Sequence, residues 1–440
     1  MDFHSYLIVI STAILELGRY QFLMGLFTIV LLIELPYYLI IILTILRQFL
    51  LASFSRCPNY PLYYPTISCI IPCYSEGTGV ILSIRSLVEQ IYSGNIEILV
   101  IVDGSKQNQH TYAAALAIAK SYGNVPNREI RVIPKYIRGG KVSSLNLGLQ
   151  LAKGEIIMVL DGETSCDNTS IQVAAQMFVE QSVVALSGAV RVRNASKNLV
   201  TNLQNLEYLL GINLARQGLS ELNSLNIISG AFGFFRKTML KQMGGWRTGS
   251  GEDLDLTIRI QSMFSRYHKL RLLHSSRLVS HTDAPESWRV LFRQRLRWDG
   301  DMFYVWLKRY RGRLTSSFMR FTTSFLLMWG GLLFNLVVPL SILVYIPYIL
   351  FNFQLNFVLT LLLLTYFYYL LITFLNFVIF ITMVSERKRR DFLTIPYLFL
   401  MPIYQFIMRI WTAIAIIYEI TLNSHRYSSM APWWVLKNRE

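Results

Sequence analysis

Residues 96–105 read IEILVIVDGS, an apolar run that stops abruptly on Asp103-Gly104-Ser105. Such a run is too apolar for a strand with one wet face, and it predicts a central strand of a parallel sheet covered on both sides. Three more runs have the same character: 66–72 (TISCIIP), 130–134 (IRVIP) and 155–160 (EIIMVL). Helical stretches near 79–92, 107–122 and 141–152 separate them. Turn and cap residues follow the strands, which is the pattern of βαβ units. The fold class expected is therefore α/β, a mostly parallel sheet with helices on both faces. Ligands of such sheets bind at the carboxyl ends of the strands, and the carboxylates Glu76, Asp103, Asp161 and Glu163 all fall there.

Outside this region the chain is far more apolar. Of 440 residues, 53% are hydrophobic and 15% charged, with mean hydropathy +0.39. That composition excludes a disordered chain and argues against an ordinary soluble enzyme. Residues 20–46 are nearly unbroken in apolarity and exceed the roughly 20 residues that cross a bilayer core. The shorter stretch 6–17 reads as an interfacial piece or as half of a hairpin turning at Gly18-Arg19. A cleaved signal peptide is not expected. Three further blocks, 318–351, 357–384 and 392–422, close the chain. The third contains Pro396, Pro402, Arg409 and Glu419, and reads as one kinked helix or a re-entrant pair. Between the last two blocks lies Ser-Glu-Arg-Lys-Arg-Arg-Asp (385–391), which the positive-inside rule places in the cytoplasm together with the polar middle of the chain.

Five segments follow: 1–51, an N-terminal membrane region; 52–284, the α/β domain; 285–317, interfacial helices; 318–422, C-terminal spans; and 423–440, a basic tail. Lys and Arg total 42 against 26 acidic residues, a net charge of +16. The basic, aromatic stripe 289–313 could be a nucleic-acid face. Beside a span it reads better as an interfacial amphipathic helix, so no nucleic-acid partner is expected. Four cysteines without CxxC spacing fit a reducing compartment rather than disulfides or zinc.

Several motifs carry possible chemistry, each with a bland alternative. Asp103 is either a turn cap or an acceptor for a nucleotide base. Asp161-Gly162-Glu163 is a solvated turn or a pair converging on a hard divalent cation. Glu252 and Asp253 begin a helical stretch, either to satisfy its dipole or to take a proton from an attacking hydroxyl. Lys141 follows Arg138-Gly139-Gly140 and opens a helix, where anions are favoured. Gln294, Arg297 and Trp298 share one helix face: an amide, a fork suited to diphosphate and a ring on which a sugar could stack.

The joint order of these motifs resembles membrane-embedded, processive family-2 glycosyltransferases with a GT-A domain, such as poly-β-1,6-N-acetylglucosamine, hyaluronan, chitin and cellulose synthases. The resemblance covers nearly the whole chain. It implies nucleotide-sugar contacts at Glu76 (IPCYSEG), Asp103 (IVDGS), Lys141 (GGKVSSLNLG), Asp161 (LDGE), Gln294 and Arg297 (QRLRW). It implies acceptor contacts at Ser229 and Gly230 (SGAFGFFRK) and at Trp298. It implies a cation, Mg2+ or Mn2+, on Asp161 and Glu163, and a catalytic base at Asp253 beside Glu252 (GED). Three positions depart from the family pattern: Ser75 stands for Asn, Glu163 for the second Asp of DxD, and Gly251 for the Thr of TED. The Ser75 change is expected to alter only a local hydrogen bond.

The implied function is inverting polymerisation of a UDP-sugar, UDP-N-acetylglucosamine ahead of UDP-glucose, into a β-linked extracellular polysaccharide that is passed across the membrane. The implied partners are the UDP-sugar donor, the growing polysaccharide, membrane lipid and a small accessory membrane or export protein. The implied location is the plasma membrane, the inner membrane of a bacterium, with a cytoplasmic catalytic domain. Single transfer to a membrane lipid stays open, as does a catalytically inactive nucleotide sensor.

Overall fold

A computed structural model describes the backbone of residues 3–54, 62–247, 249 and 251–427. The strands are β1 (Ile67–Cys73), β2 (Ile96–Asp103), β3 (Arg128–Lys135), β4 (Ile156–Leu160), β5 (Ser165–Cys166), β6 (Val183–Val192), β7 (Phe232–Arg236) and β8 (Arg271–Thr282). They form one sheet in the order β3-β2-β1-β4-β7-β6-β8-β5. The first four are parallel, as their apolar runs predict. β7 then runs antiparallel to both β4 and β6, and β5 antiparallel to β8. β6 and β8 pair in parallel and run the same way as β1 to β4, so only β7 and β5 are reversed and the sheet is mostly parallel, as expected.

The helices in chain order are α1 (Phe3–Phe54), α2 (Val80–Val88), α3 (Gln109–Ser121), α4 (Lys141–Leu151), α5 (Ser170–Met177), α6 (Leu199–Glu207), α7 (Ala215–Glu221), α8 (Lys237–Gln242), α9 (Glu252–Gln261) and α10 (Trp288–Phe303). Two buried clusters hold the sheet from opposite faces. One joins Ile67, Ile71, Val100 and Leu160 to α2, α3 and α5; the other joins Ile70, Leu99, Ile101 and Val159 to α4, α8 and α9. Side chains alternate between the two clusters along each strand, so both faces are dry and the strands read as continuous apolar runs. Cys69, Cys73 and Cys166 are buried free thiols; Cys57 lies outside the described residues.

Among the described residues, four helices are long and apolar enough to cross a membrane: Leu31–Phe54, Phe321–Asn352, Leu355–Val384 and Met401–Leu422. The hairpin expected at Gly18-Arg19 is absent, because α1 continues through both residues. One glycine inside a helix costs only about 1 kcal/mol relative to alanine, too little to force a turn. The last block is a kinked succession. Short helices at Lys388–Phe392 and Ile395–Leu398 precede the final span, with Pro396 and Pro402 near the starts of their helices. Arg409 and Glu419 have separate partners. Arg409 Nη1 meets Glu34 Oε1 of α1 at 2.5 Å, whereas Glu419 holds His425 Nδ1 at 2.5 Å. The tail beyond residue 427 lies outside the described residues.

The basic loop docks on the β6–β8–β5 side of the sheet. Arg191 on β6 forks onto Asp391 at 2.6 and 2.9 Å and reaches Glu386 at 2.6 Å. Arg387 grips Asp167 at 2.6 and 2.8 Å. Residues 385–391 therefore lie on the same side of the spans as the α/β domain.

Candidate active site

β1 leads into the turn 74–77, where Ser75 has φ +75°. That left-handed conformation is costly for serine and tolerated by asparagine. The departure at Ser75 therefore changes backbone strain and not only a hydrogen bond, which corrects the expectation. Beyond it, Glu76 leans on the next turn. A Cβ at Gly162 would lie 2.9 Å from Glu76 Cδ, so the glycine lets the carboxylate approach. Glu76 Oε2 is buried without a hydrogen-bond partner. Burial, with Asp161 and Glu163 nearby, raises the Glu76 pKa.

Asp103 ends β2 and is buried. Its Oδ1 accepts from Lys135 Nζ at 2.8 Å and Gly139 N–H at 2.9 Å, and its Oδ2 from Gly140 N–H at 2.7 Å. Much of its accepting capacity thus shapes the turn that starts α4. Gly140 there has φ +84°, a conformation suited to glycine. Lys141, the first residue of α4, places Nζ 2.8 Å from Asp161 Oδ1 and 3.3 Å from Glu252 Oε1. Burial opposes its charge, but these carboxylates outweigh that and raise its pKa.

Asp161 and Glu163 follow β4. Asp161 is partly buried and Glu163 exposed. The surrounding protein and the charges of Asp161 and Asp283 raise the Glu163 pKa. Glu76, Asp161 and Glu163 thus form a crowded acidic set with one orphaned buried oxygen. Among the described residues no three His, Cys, Asp or Glu side chains are arranged to hold an ion alone. Mg2+ commonly binds through one or two carboxylates and completes its shell with phosphate oxygens and water. The hard donors and excess negative charge fit a cation shared with a phosphorylated ligand.

The opposite wall comes from α9 and α10. Gly251 caps α9 at φ +70°, where a Cβ would also touch Val305 Cγ2 at 3.4 Å. A threonine would be strained on this backbone, which accounts for the glycine of GED. Asp253 Oδ2 accepts from Gly230 N–H at 3.1 Å and its Oδ1 from Leu254 N–H at 2.8 Å. Burial and the neighbouring Glu252 raise its pKa to about 6, against the pull of Lys141 and these hydrogen bonds. Asp255 faces away and ties α9 to Tyr310 Oη at 2.6 Å and Arg309 at 3.1 Å. On α10, Arg295 covers the Trp298 ring at 4.7 Å and pairs with Glu207 at 2.7 Å. Arg297 has no hydrogen bond or ion pair among the described residues, so its fork is available.

Glu76, Asp103, Lys141, Asp161, Glu163, Ser229, Gly230, Glu252, Asp253, Gln294, Arg297 and Trp298 all line one cavity of about 730 Å3. It continues past Trp306 to Tyr37, Leu327, Gly330 and Asn335 among the spans. Sequence reasoning missed Arg216, Asn226 and Asp299, which line the same cavity. Burial raises Asp299 to about 6, with Thr412 Oγ1 donating to it at 2.8 Å. No motif marks these three residues, and only the fold brings them together.

Residues 65–300 match the family described as glycosyltransferase like family 2. The chain belongs to this family. It is 27% identical over 288 residues to a probable glycosyltransferase, YdaM, of Bacillus subtilis, covering 62% of this chain and 66% of the relative. It is 27% identical over 234 residues to a poly-β-1,6-N-acetyl-D-glucosamine synthase of Staphylococcus epidermidis, covering 53% of each. An N-acetylglucosaminyltransferase of Neorhizobium galegae is 24% identical over 253 residues, covering 55% of this chain and 56% of the relative. The chain thus spans about half to two thirds of the length of these relatives. Among solved structures, the mannosyltransferase PcManGT of Pyrobaculum calidifontis, in complex with GDP-Man and Mn2+, superposes with TM-score 0.57 at 17% identity, covering 90% of this chain and 98% of that one. The α/β domain of this family-2 protein has the GT-A fold expected.

Proposed function

We propose that this family-2 protein is an inverting hexosyltransferase. It uses a UDP-sugar, UDP-N-acetylglucosamine ahead of UDP-glucose, extends a β-linked polysaccharide and passes the product outward between its spans. The carrying observation is Asp253, a carboxylate with a raised pKa facing the same cavity as the acidic strand tips and Trp298. The named activities of the relatives support the donor class. Continuation of the cavity to Tyr37 and Asn335 supports passage of the product.

The reaction is a single displacement. UDP-sugar lies across the strand tips, with Glu76 and Asp103 toward the nucleoside and Lys141 and Gln294 toward the diphosphate. Trp298, Ser229 and Gly230 hold the acceptor. Its hydroxyl oxygen forms a bond to the anomeric carbon while Asp253, beside Glu252, takes the hydroxyl proton. The bond from that carbon to the diphosphate oxygen breaks, and its electron pair leaves with UDP. Arg297 stabilises the charge growing on the leaving diphosphate. Mg2+ or Mn2+, when held by Asp161 and Glu163, supplies further neutralisation of that charge. Fixing both reactants in line contributes much of the acceleration.

A second reading is transfer of one sugar to a membrane lipid. The apolar residues Leu326, Leu327 and Trp306 at the membrane end of the cavity favour it. UDP release by the purified chain against a panel of UDP-sugars, with either cation, tests the transferase reading. A product ladder on a gel is the expected outcome; one lipid-linked species would replace polymerisation by single transfer.

A further inference from the structure

The π-helical turn Tyr208–Leu214 runs into α7. It brings Tyr208, Ile212 and Arg216 onto the cavity wall at four-residue intervals. Such turns are common at functional sites. The transfer step proposed above uses none of the three. Arg216 Nη1 is buried without a hydrogen-bond partner, and no carboxylate among the described residues pairs with this guanidinium. Burial lowers its pKa to about 10, with Asp253 and Tyr208 opposing. Asn226 lies on the segment leading to Ser229 and Gly230. It lines the same cavity, and its Oδ1 is buried and unpartnered as well.

An unpaired buried donor and an unpaired buried acceptor are each costly, and native folds leave few of either. A ligand that carries a secondary amide offers a match to each, since its carbonyl oxygen accepts from a guanidinium and its N–H donates to a side-chain oxygen. A sugar hydroxyl offers a weaker match to the cation, and a phosphate offers nothing to Asn226 Oδ1. We infer that Arg216 and Asn226 recognise the 2-acetamido group of the sugar in the cavity and so select a 2-acetamido sugar over its 2-hydroxy counterpart. This rests on the transferase reading above. With the Asn226 amide reversed, the pair would present donors alone, which suits a uronate carboxylate; the test separates the two.

The experiment compares kcat/KM for UDP-N-acetylglucosamine, UDP-glucose and UDP-glucuronate in the full chain with Mn2+. Arg216→Met, Arg216→Lys and Asn226→Leu are measured beside it. The unaltered chain is expected to prefer UDP-N-acetylglucosamine by at least about tenfold over UDP-glucose. Arg216→Met and Asn226→Leu are expected to lower that ratio about tenfold, and Arg216→Lys to keep part of it. The two positions lie on different segments. Whichever variant still melts later with UDP present carries the test, and loss of that response in both would assign them a structural role and overturn the inference. A ratio within twofold of the original would also overturn it. So would a preference for UDP-glucuronate that Arg216→Met abolishes. No turnover of any donor by the unaltered chain would instead remove the transferase reading, and this inference with it.

Discussion

Asp253 is the base in the reading proposed above, and its surroundings suit a single carboxylate to proton transfer. Two backbone N–H groups fix its oxygens, while burial and Glu252 hold its pKa near 6. As the proposed base it acts in the deprotonated form, so kcat/KM should fall about tenfold per pH unit below about 6 and level off above it. A flat profile from pH 5 to 8 would remove Asp253 as the base. The same shift has a consequence for stability. The folded state keeps this proton to a higher pH than the unfolded chain, whose aspartates titrate near 3.9. The associated stability is present in acid and lost as pH rises through about 6. Between pH 4 and pH 8 the stability of Asp253→Asn relative to the parent should therefore shift in the variant's favour by the equivalent of about 2–3 kcal/mol. The acidic strand tips and the QRLRW face were legible because each motif is short and contiguous. Arg216 and Asn226 were not, because what distinguishes them is a missing partner, and only packing reveals that.

At the scale of elements, β1 to β4 could be read because both faces of each strand are dry. β6 and β8 escaped that reading. In β6 the apolar run Val183–Leu186 is interrupted by Ser187 and later by Arg191, and β8 mixes the buried His274 and Ser280 among its apolar residues. The sequence of the loop 385–391 marks topology, yet Glu386, Arg387 and Asp391 also fasten the spans to the β6–β8–β5 side of the sheet. Asp391 is 1% exposed and faces Arg191, itself 4% exposed. Without the Asp391 carboxylate Arg191 keeps Glu386 but loses its charged, forked partner, at a cost of about 1–3 kcal/mol. Asp391→Asn should lower the melting temperature in detergent markedly, and Arg191→Met with Asp391→Leu should recover most of the loss. Equal melting of the single and double variants would show that the pair does not couple the two regions.

Over the whole molecule, one cavity joins a sheet that presents carboxylates to helices that suit a bilayer. The Arg409–Glu34 pair joins the last span to α1, and Trp329 Nε1 donates to Ile33 O at 2.7 Å. The wall of the cavity is therefore braced across the membrane region as well as within the domain. The placement of residues 385–391 beside the α/β domain implies opposite exposure of the connection at Gln354. Cysteines introduced at Lys388 and Gln354 should react with an impermeant thiol reagent from opposite sides of the membrane, and the positive-inside expectation puts Lys388 on the cytoplasmic one. Labelling of both from one side would overturn the proposed topology. The central claim remains the chemistry of the cavity, and its most direct test is UDP release by Asp253→Asn with the preferred UDP-sugar, measured beside UDP binding. Transfer should fall by about 10²–10⁴-fold while UDP binds within a few-fold of the parent; near-normal turnover would contradict the account.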